Sequence, residues 1–118
     1  MKTVLVVDDE PAILQTTARI LQHGGYATLE AASAYEALTL LISNDVQLLI
    51  TDSLMPGMSG IVLADTAGHL HPGLPILHMS GYTPPDLTDE GQAFIQKPFT
   101  AQALLDKVRN MLAAQPGR

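Results

Sequence analysis

The 118-residue sequence predicts one α/β domain built on a doubly wound parallel sheet. Three observations predict it. Short apolar runs alternate with helix-period stretches along the whole chain. The central run, Leu48-Leu49-Ile50, is continuously apolar, as suits a strand covered on both faces. Finally, four of the runs stop on polar or charged residues, namely Asp8-Asp9, Asp52, Ser80 and Lys97, and right-handed crossovers bring such strand ends to one rim. Composition narrows the function classes. At 47% apolar content the chain can fill one core, and none of its apolar stretches is long enough to cross a bilayer. A formal charge of −6 argues against nucleic-acid binding by this domain. Without cysteine there is no disulfide framework and no thiolate metal site. Lys2 leads straight into a strand-like run with no signal-peptide pattern, so a cytoplasmic location is expected.

The elements follow in order. Thr3 to Val7 is a β-branched-rich strand stopped by Asp8-Asp9-Glu10. Pro11 suits the first turn of a helix, where its missing N–H costs nothing; Ile13, Thr17, Ile20 and Leu21 recur at helical spacing, and Gly24-Gly25 ends it. Tyr26 to Ala32 reads as a second strand, and its end at Ala31-Ala32 carries no chemistry, as befits a sheet edge. Ser33-Ala34-Tyr35-Glu36 has the capping-box pattern, and Ala37, Leu38, Leu41 and Ile42 form the stripe behind it, closed by Asn44. The central strand runs from Val46 to Asp52. Ser59 caps a third helix to about Leu70 with Leu63, Ala64 and Ala67 inward, and His71-Pro72-Gly73 breaks it. Pro75 to Ser80 is a fourth strand. A helix is expected between Gly81 and Gly91, and Ala93 to Lys97 is the fifth strand. Thr100 caps a last helix with Leu104, Leu105, Val108, Met111 and Leu112 on one side, and the tail from Gln115 is expected to fray.

The rim therefore collects Asp8, Asp9, Asp52, Ser80 and Lys97. Carboxylates that converge repel one another, and a hard divalent cation relieves that penalty. Oxygen ligands without histidine or cysteine favour magnesium, which keeps waters and shares itself with a phosphate. Lys97 and Ser80 would complete a phosphoryl site, and Asp52 is either a further ligand or a nucleophile. Taken singly these residues have plainer readings: Asp8-Asp9 as helix-dipole partners, Ser80 as a turn residue, Lys97 as a strand-end charge. The four histidines show no ligand spacing with the acids and read as surface or strand-filling residues. Met55 and Met58 read as loop packing.

In order and spacing, Val6-Val7-Asp8-Asp9-Glu10-Pro11, Asp52 with Met55-Pro56-Gly57-Met58-Ser59-Gly60, Ser80-Gly81 and Lys97-Pro98-Phe99 resemble the receiver domain of two-component response regulators. The resemblance covers essentially all of residues 1–118, as one receiver domain. It implies the flavodoxin-like (CheY-like) fold: five parallel strands in the order 2-1-3-4-5 flanked by about five helices. It implies that Asp52 accepts a phosphoryl group from a sensor histidine kinase or histidine phosphotransfer protein. Asp9 and Asp52 would bind Mg2+ directly, Leu54 through its backbone carbonyl, and Asp8 through water. Lys97 would pair with phosphoryl oxygens, and its bond to Pro98 would be cis. Ser80 and Phe94 would form the switch that reshapes an interaction surface, with homodimerisation left open. Phe94 lacks the hydroxyl of the tyrosine often found there, and Gly81 leaves the site open. The resemblance implies a signalling switch limited to self-phosphorylation and slow autodephosphorylation, not an enzyme. Two alternatives remain. An aspartyl-nucleophile phosphotransferase of the haloacid-dehalogenase kind wants a second Asp two residues after the nucleophile, where this chain has Leu54. An adaptor that is never phosphorylated usually lacks one of these acidic groups.

Overall fold

The computed structural model describes residues 2–53, 55, 59–81 and 92–113. In chain order the elements are β1 (Thr3–Val7), α1 (Pro11–His23), β2 (Ala27–Ala31), α2 (Ala34–Ser43), β3 (Leu48–Asp52), α3 (Gly60–Leu70), β4 (Ile76–Ser80), β5 (Gln92–Gln96) and α4 (Ala101–Ala113). All neighbouring strands pair in parallel, in the order β2-β1-β3-β4-β5. This is the strand order that the resemblance implies, with four helices among the described residues. The helix expected between Gly81 and Gly91 and the tail from Gln115 lie outside the described residues.

Period-two alternation along each strand splits the core into two layers. Leu5, Val7, Leu49 and Ile76 point to one side, where Ala37 and Leu41 of α2 and Leu63 and Ala67 of α3 cover them. Val4, Val6, Leu48, Ile50, Leu77, Met79 and Ile95 point to the other, under Leu14 and Leu21 of α1 and Leu104 and Val108 of α4. A sheet buried on both sides needs apolar residues at every position, which is why Leu48-Leu49-Ile50 is continuous.

The helix boundaries follow the local chemistry. Pro11 opens α1, and Gly25 at φ +95° supplies the left-handed residue after it. Ser33, Ser59 and Thr100 each accept the backbone N–H of the third residue of the helix behind them, from Glu36, Val62 and Ala103 at 3.1, 3.2 and 3.0 Å. Two details of the expected apolar stripes are corrected. In α1 the buried positions are Leu14, Thr17, Ala18 and Leu21, and Ile13 is only half-buried beside a cleft. In α2, Ile42 is 73% exposed, because Ala34, Ala37 and Leu41 already fill the inward face.

Candidate functional site

Strand periodicity builds the site. Val6, Ile50 and Ile95 lie in the same core layer, and Asp8, Asp52 and Lys97 each stand two residues further on. The pleat therefore aims all three along one direction at the carboxyl ends of β1, β3 and β5. Lys97 Nζ lies 3.0 Å from Asp8 Oδ2 and 3.3 Å from Asp52 Oδ2. Asp8 is fully buried, and its other oxygen accepts the Glu10 N–H at 2.9 Å. The helix-start reading of Asp8 and the site reading thus hold together: one oxygen orders the β1–α1 turn, and the other faces the pocket. Glu10, the residue at the N-cap of α1, makes no side-chain capping bond.

Asp9 completes the cluster. Carboxylate oxygens of Asp8, Asp9 and Asp52 all lie within 4.8 Å of one another, with Asp8 buried, Asp52 half-buried and Asp9 exposed. The donors are hard and anionic, and one side of the cluster is open to solvent. Such a set suits a magnesium ion that keeps part of its water shell. The expected repulsion is therefore partly answered from within the chain, by Lys97. Burial lowers the lysine's affinity for its proton, the largest single influence. The hydrogen bond to Asp8, the charge of Asp8 and the pairing with Asp52 together outweigh it, so its pKa lies above the ordinary lysine value.

Ser80 ends β4 at the same rim, buried, and its carbonyl accepts the Lys97 N–H at 2.7 Å. The Lys97–Pro98 peptide bond is cis. Phe94 is half-buried on edge strand β5, in register with His78 of β4. Strand alternation puts it on the sheet face opposite Ile95. Leu54, the expected backbone-carbonyl ligand, lies outside the described residues. Of the histidines, His78 is buried in β4, while His69 and His71 bond the carbonyls of Asp65 and Leu41 at 2.8 Å. Met55 packs into the core layer beneath α2 and α3.

Two features of the site are not flagged by the sequence reading. The first is Gly60. A Cβ there would stand 1.8 Å from the Asp52 carbonyl oxygen, so α3 starts directly against the backbone of the central aspartate. The Gly60 N–H also donates to the Ser53 carbonyl at 3.2 Å. Gly60 stands in the quoted motif, but only the fold reveals what it approaches. The second is a cleft of about 500 Å³ between α1 and the chain after β5, lined by Ile13, Thr16, Ile20, Pro98 and Phe99 with Lys97 at its edge. It opens beside the pocket and accounts for the half-exposed Ile13.

Comparison with known proteins agrees with this geometry. The family model for the response regulator receiver domain matches residues 4–109. Sensor kinase CckA of Brucella abortus is 34% identical over 120 residues, covering 96% of this chain but 13% of that protein. The chain thus spans a small part of this larger relative. Response regulator receiver protein CpdR of the same organism is 31% identical over 122 residues, covering 97% of this chain and 99% of that protein. Among solved structures, response regulator TrrA of Thermotoga maritima in complex with Mg2+ and BeF superposes with a TM-score of 0.86 at 32% identity, covering 94% of this chain and 99% of that one.

Proposed function

Because the chain belongs to the response regulator receiver domain family, we propose that Asp52 is the residue on which it carries its phosphoryl group. A receiver domain is a phosphoacceptor and a signalling switch, supplied by a histidine kinase or phosphotransfer partner. The observation that carries the assignment is the convergence of Asp8, Asp9 and Asp52 around Lys97 at three strand ends. Residues 1–118 act as one receiver domain, in the cytoplasm, where such partners present their phosphohistidines. No helix among the described residues is long and apolar enough to cross a membrane.

The roles are those that the family resemblance implies. Asp52 presents a carboxylate oxygen at the mouth of the pocket. That oxygen forms a bond to phosphorus as the phosphorus–nitrogen bond of the donor histidine breaks, and the departing imidazole takes up a proton. Asp9 and Asp52 would hold Mg2+ directly, with the Leu54 carbonyl as a further ligand and Asp8 acting through water, and the ion would neutralise phosphoryl charge during transfer. Lys97 is already held between Asp8 and Asp52, so a small shift of its ammonium transfers it to a phosphoryl oxygen on Asp52. Ser80 donates its hydroxyl to the same group, and Phe94 turns as Ser80 moves, a two-state element biased by a local change of charge. The apolar cleft beside Lys97 gives the donor protein a surface to cover while its histidine reaches Asp52. TrrA, related at 32% identity, has been solved with Mg2+ and BeF, which favours magnesium as the ion here.

Intact-mass spectrometry after incubation with Mg2+ and acetyl phosphate or phosphoramidate tests the assignment. One phosphoryl group is expected on the wild-type chain, dependent on Mg2+ and absent from Asp52→Asn. Stoichiometric labelling of Asp52→Asn would remove Asp52 from its role.

A further inference from the structure

The cleft beside Lys97 contains a buried group that the phosphoacceptor site does not use. Thr17 of α1 lies at its floor, fully buried, with Ile13 and Ile20 one helical turn to either side and Pro98 and Phe99 across from it. Thr17 Oγ1 has no hydrogen-bond partner among the described residues. Thr39 and Thr66, which also stand inside helices, turn their hydroxyls back onto the carbonyls of Tyr35 and Val62 at 3.2 and 3.0 Å. Thr17 makes no such bond. A hydroxyl without a partner in an apolar wall costs stability that a valine of the same shape would not cost. Folding alone therefore gives no reason for the polar atom at this position. Two rotamers are open to a helical threonine, so the hydroxyl can adjust to a polar atom placed above it.

Size, lining and charge indicate what the cleft takes. Its volume of about 500 Å³ falls in the range of small-molecule sites, which combine apolar walls with a few polar groups that fix orientation. One wall is aliphatic, from Ile13 and Ile20, and the other carries the ring of Phe99, which suits a flat aromatic body. A charge of either sign is disfavoured. The Lys97 ammonium at the edge repels a cation, while Asp8 and Asp52, 3.0 and 3.3 Å from that ammonium, already engage it and repel an anion. We propose that this cleft binds a neutral aromatic small molecule with one hydroxyl or carbonyl group, its ring between Ile13, Ile20 and Phe99 and its polar atom on the Thr17 hydroxyl. An occupied cleft would deny the phosphodonor protein the surface assigned to it above. That consequence rests on the proposed function, whereas the binding itself does not.

The probe is 2-naphthol, uncharged at neutral pH, titrated into the 118-residue chain while amide shifts report where and how tightly it binds. Saturable shifts are expected at 13–20 and 97–99. Thr17→Val should bind 2-naphthol about fivefold more weakly, as for loss of one hydrogen bond, and naphthalene as tightly as wild type does. The same variant should melt no lower than wild type, which separates a ligand-facing hydroxyl from a structural one. Ile13→Trp, at a half-buried position, should fill the cleft and abolish binding of both probes. The charged analogues 2-naphthoate and 2-naphthylmethylammonium should bind about tenfold more weakly than 2-naphthol. Asp52→Asn should bind 2-naphthol as wild type does, which keeps this result apart from the phosphoacceptor assignment. The proposal is overturned if no shifts saturate or if they centre elsewhere. It is also overturned if Thr17→Val binds 2-naphthol unchanged or melts below wild type, or if either charged analogue binds as tightly as 2-naphthol.

Discussion

At the scale of single residues, one ammonium faces three carboxylates, and the imbalance has a measurable consequence. Lys97 contacts Asp8 and Asp52, which leaves the Asp9 charge to repel both from within 4.8 Å. Removing it should stabilise the magnesium-free protein. Asp9→Asn is expected to raise the unfolding free energy by on the order of 1 kcal/mol in chelator, a small value because Asp9 is solvent-exposed. In the wild type, Mg2+ at about ten times its dissociation constant should add about 1.4 kcal/mol, since a ligand that binds only the folded state stabilises it. Asp9→Asn should lose most of that increment. Denaturant titrations with and without Mg2+ measure both, and an Asp9→Asn protein less stable than wild type in chelator would contradict the repulsion. Asp8, Asp52 and Lys97 were legible in the sequence because each follows a strand-like run and strand ends share a rim. The pairing of Lys97 with Asp8 was not, because spacing along the chain says nothing of which oxygens meet.

At the scale of elements, α3 contains two glycines with opposite roles. A Cβ at Gly60 would meet the Asp52 carbonyl oxygen at 1.8 Å, a backbone atom that cannot swing aside, whereas a Cβ at Gly68 would have no neighbour within 4 Å. Gly60→Ala should therefore cost about 1–3 kcal/mol through overpacking, and it should slow phosphorylation by displacing Asp52. Gly68→Ala in the same helix should gain up to about 1 kcal/mol from helix propensity and leave phosphorylation unchanged. Thermal melts beside mass-spectrometric labelling separate the two, and equal behaviour of both variants would show that the approach to Asp52 is immaterial. The sequence made the helices legible through caps and breakers: Ser33, Ser59, Thr100, Pro11 and Gly25 all act as their chemistry dictates. It was less informative about helix phase. Ile13 and Ile42 fit an apolar stripe on periodicity alone, yet Leu14 and Ala18 take the inward face of α1, and Ala34, Ala37 and Leu41 that of α2. An apolar residue beside a stripe looks the same in sequence whether it is buried or left for a partner.

At the scale of the whole molecule, the pocket closes the sheet. Asp8 and Lys97 are 89 positions apart, and their contact ties β1 to the chain after β5 across β3 and β4, the strands that carry Asp52 and Ser80. Strand order could be anticipated from alternation, handedness and family resemblance, but this closure depends on the two core layers being in register. Its strength depends on pH in a direction fixed by Lys97. The folded state raises the pKa of Lys97, so it holds the proton more tightly than the unfolded chain does. The stabilisation is fully present below the unfolded lysine value of about 10.4 and is lost as pH rises through the higher folded value. Lys97→Met keeps the aliphatic stem but leaves the buried Asp8 carboxylate without its ion-pair partner, which should cost about 2 kcal/mol at neutral pH. That lies below the usual range for a broken buried pair because the lysine side chain is 19% exposed. The gap between wild type and Lys97→Met in urea unfolding should then hold steady from about pH 7 to 9 and narrow above about pH 10.4, where the unfolded chain loses the lysine proton that the folded state still holds. A gap that stayed constant through the alkaline range would mean that the Lys97 charge does not hold the sheet closed, and that the variant's lost stability is a matter of packing alone.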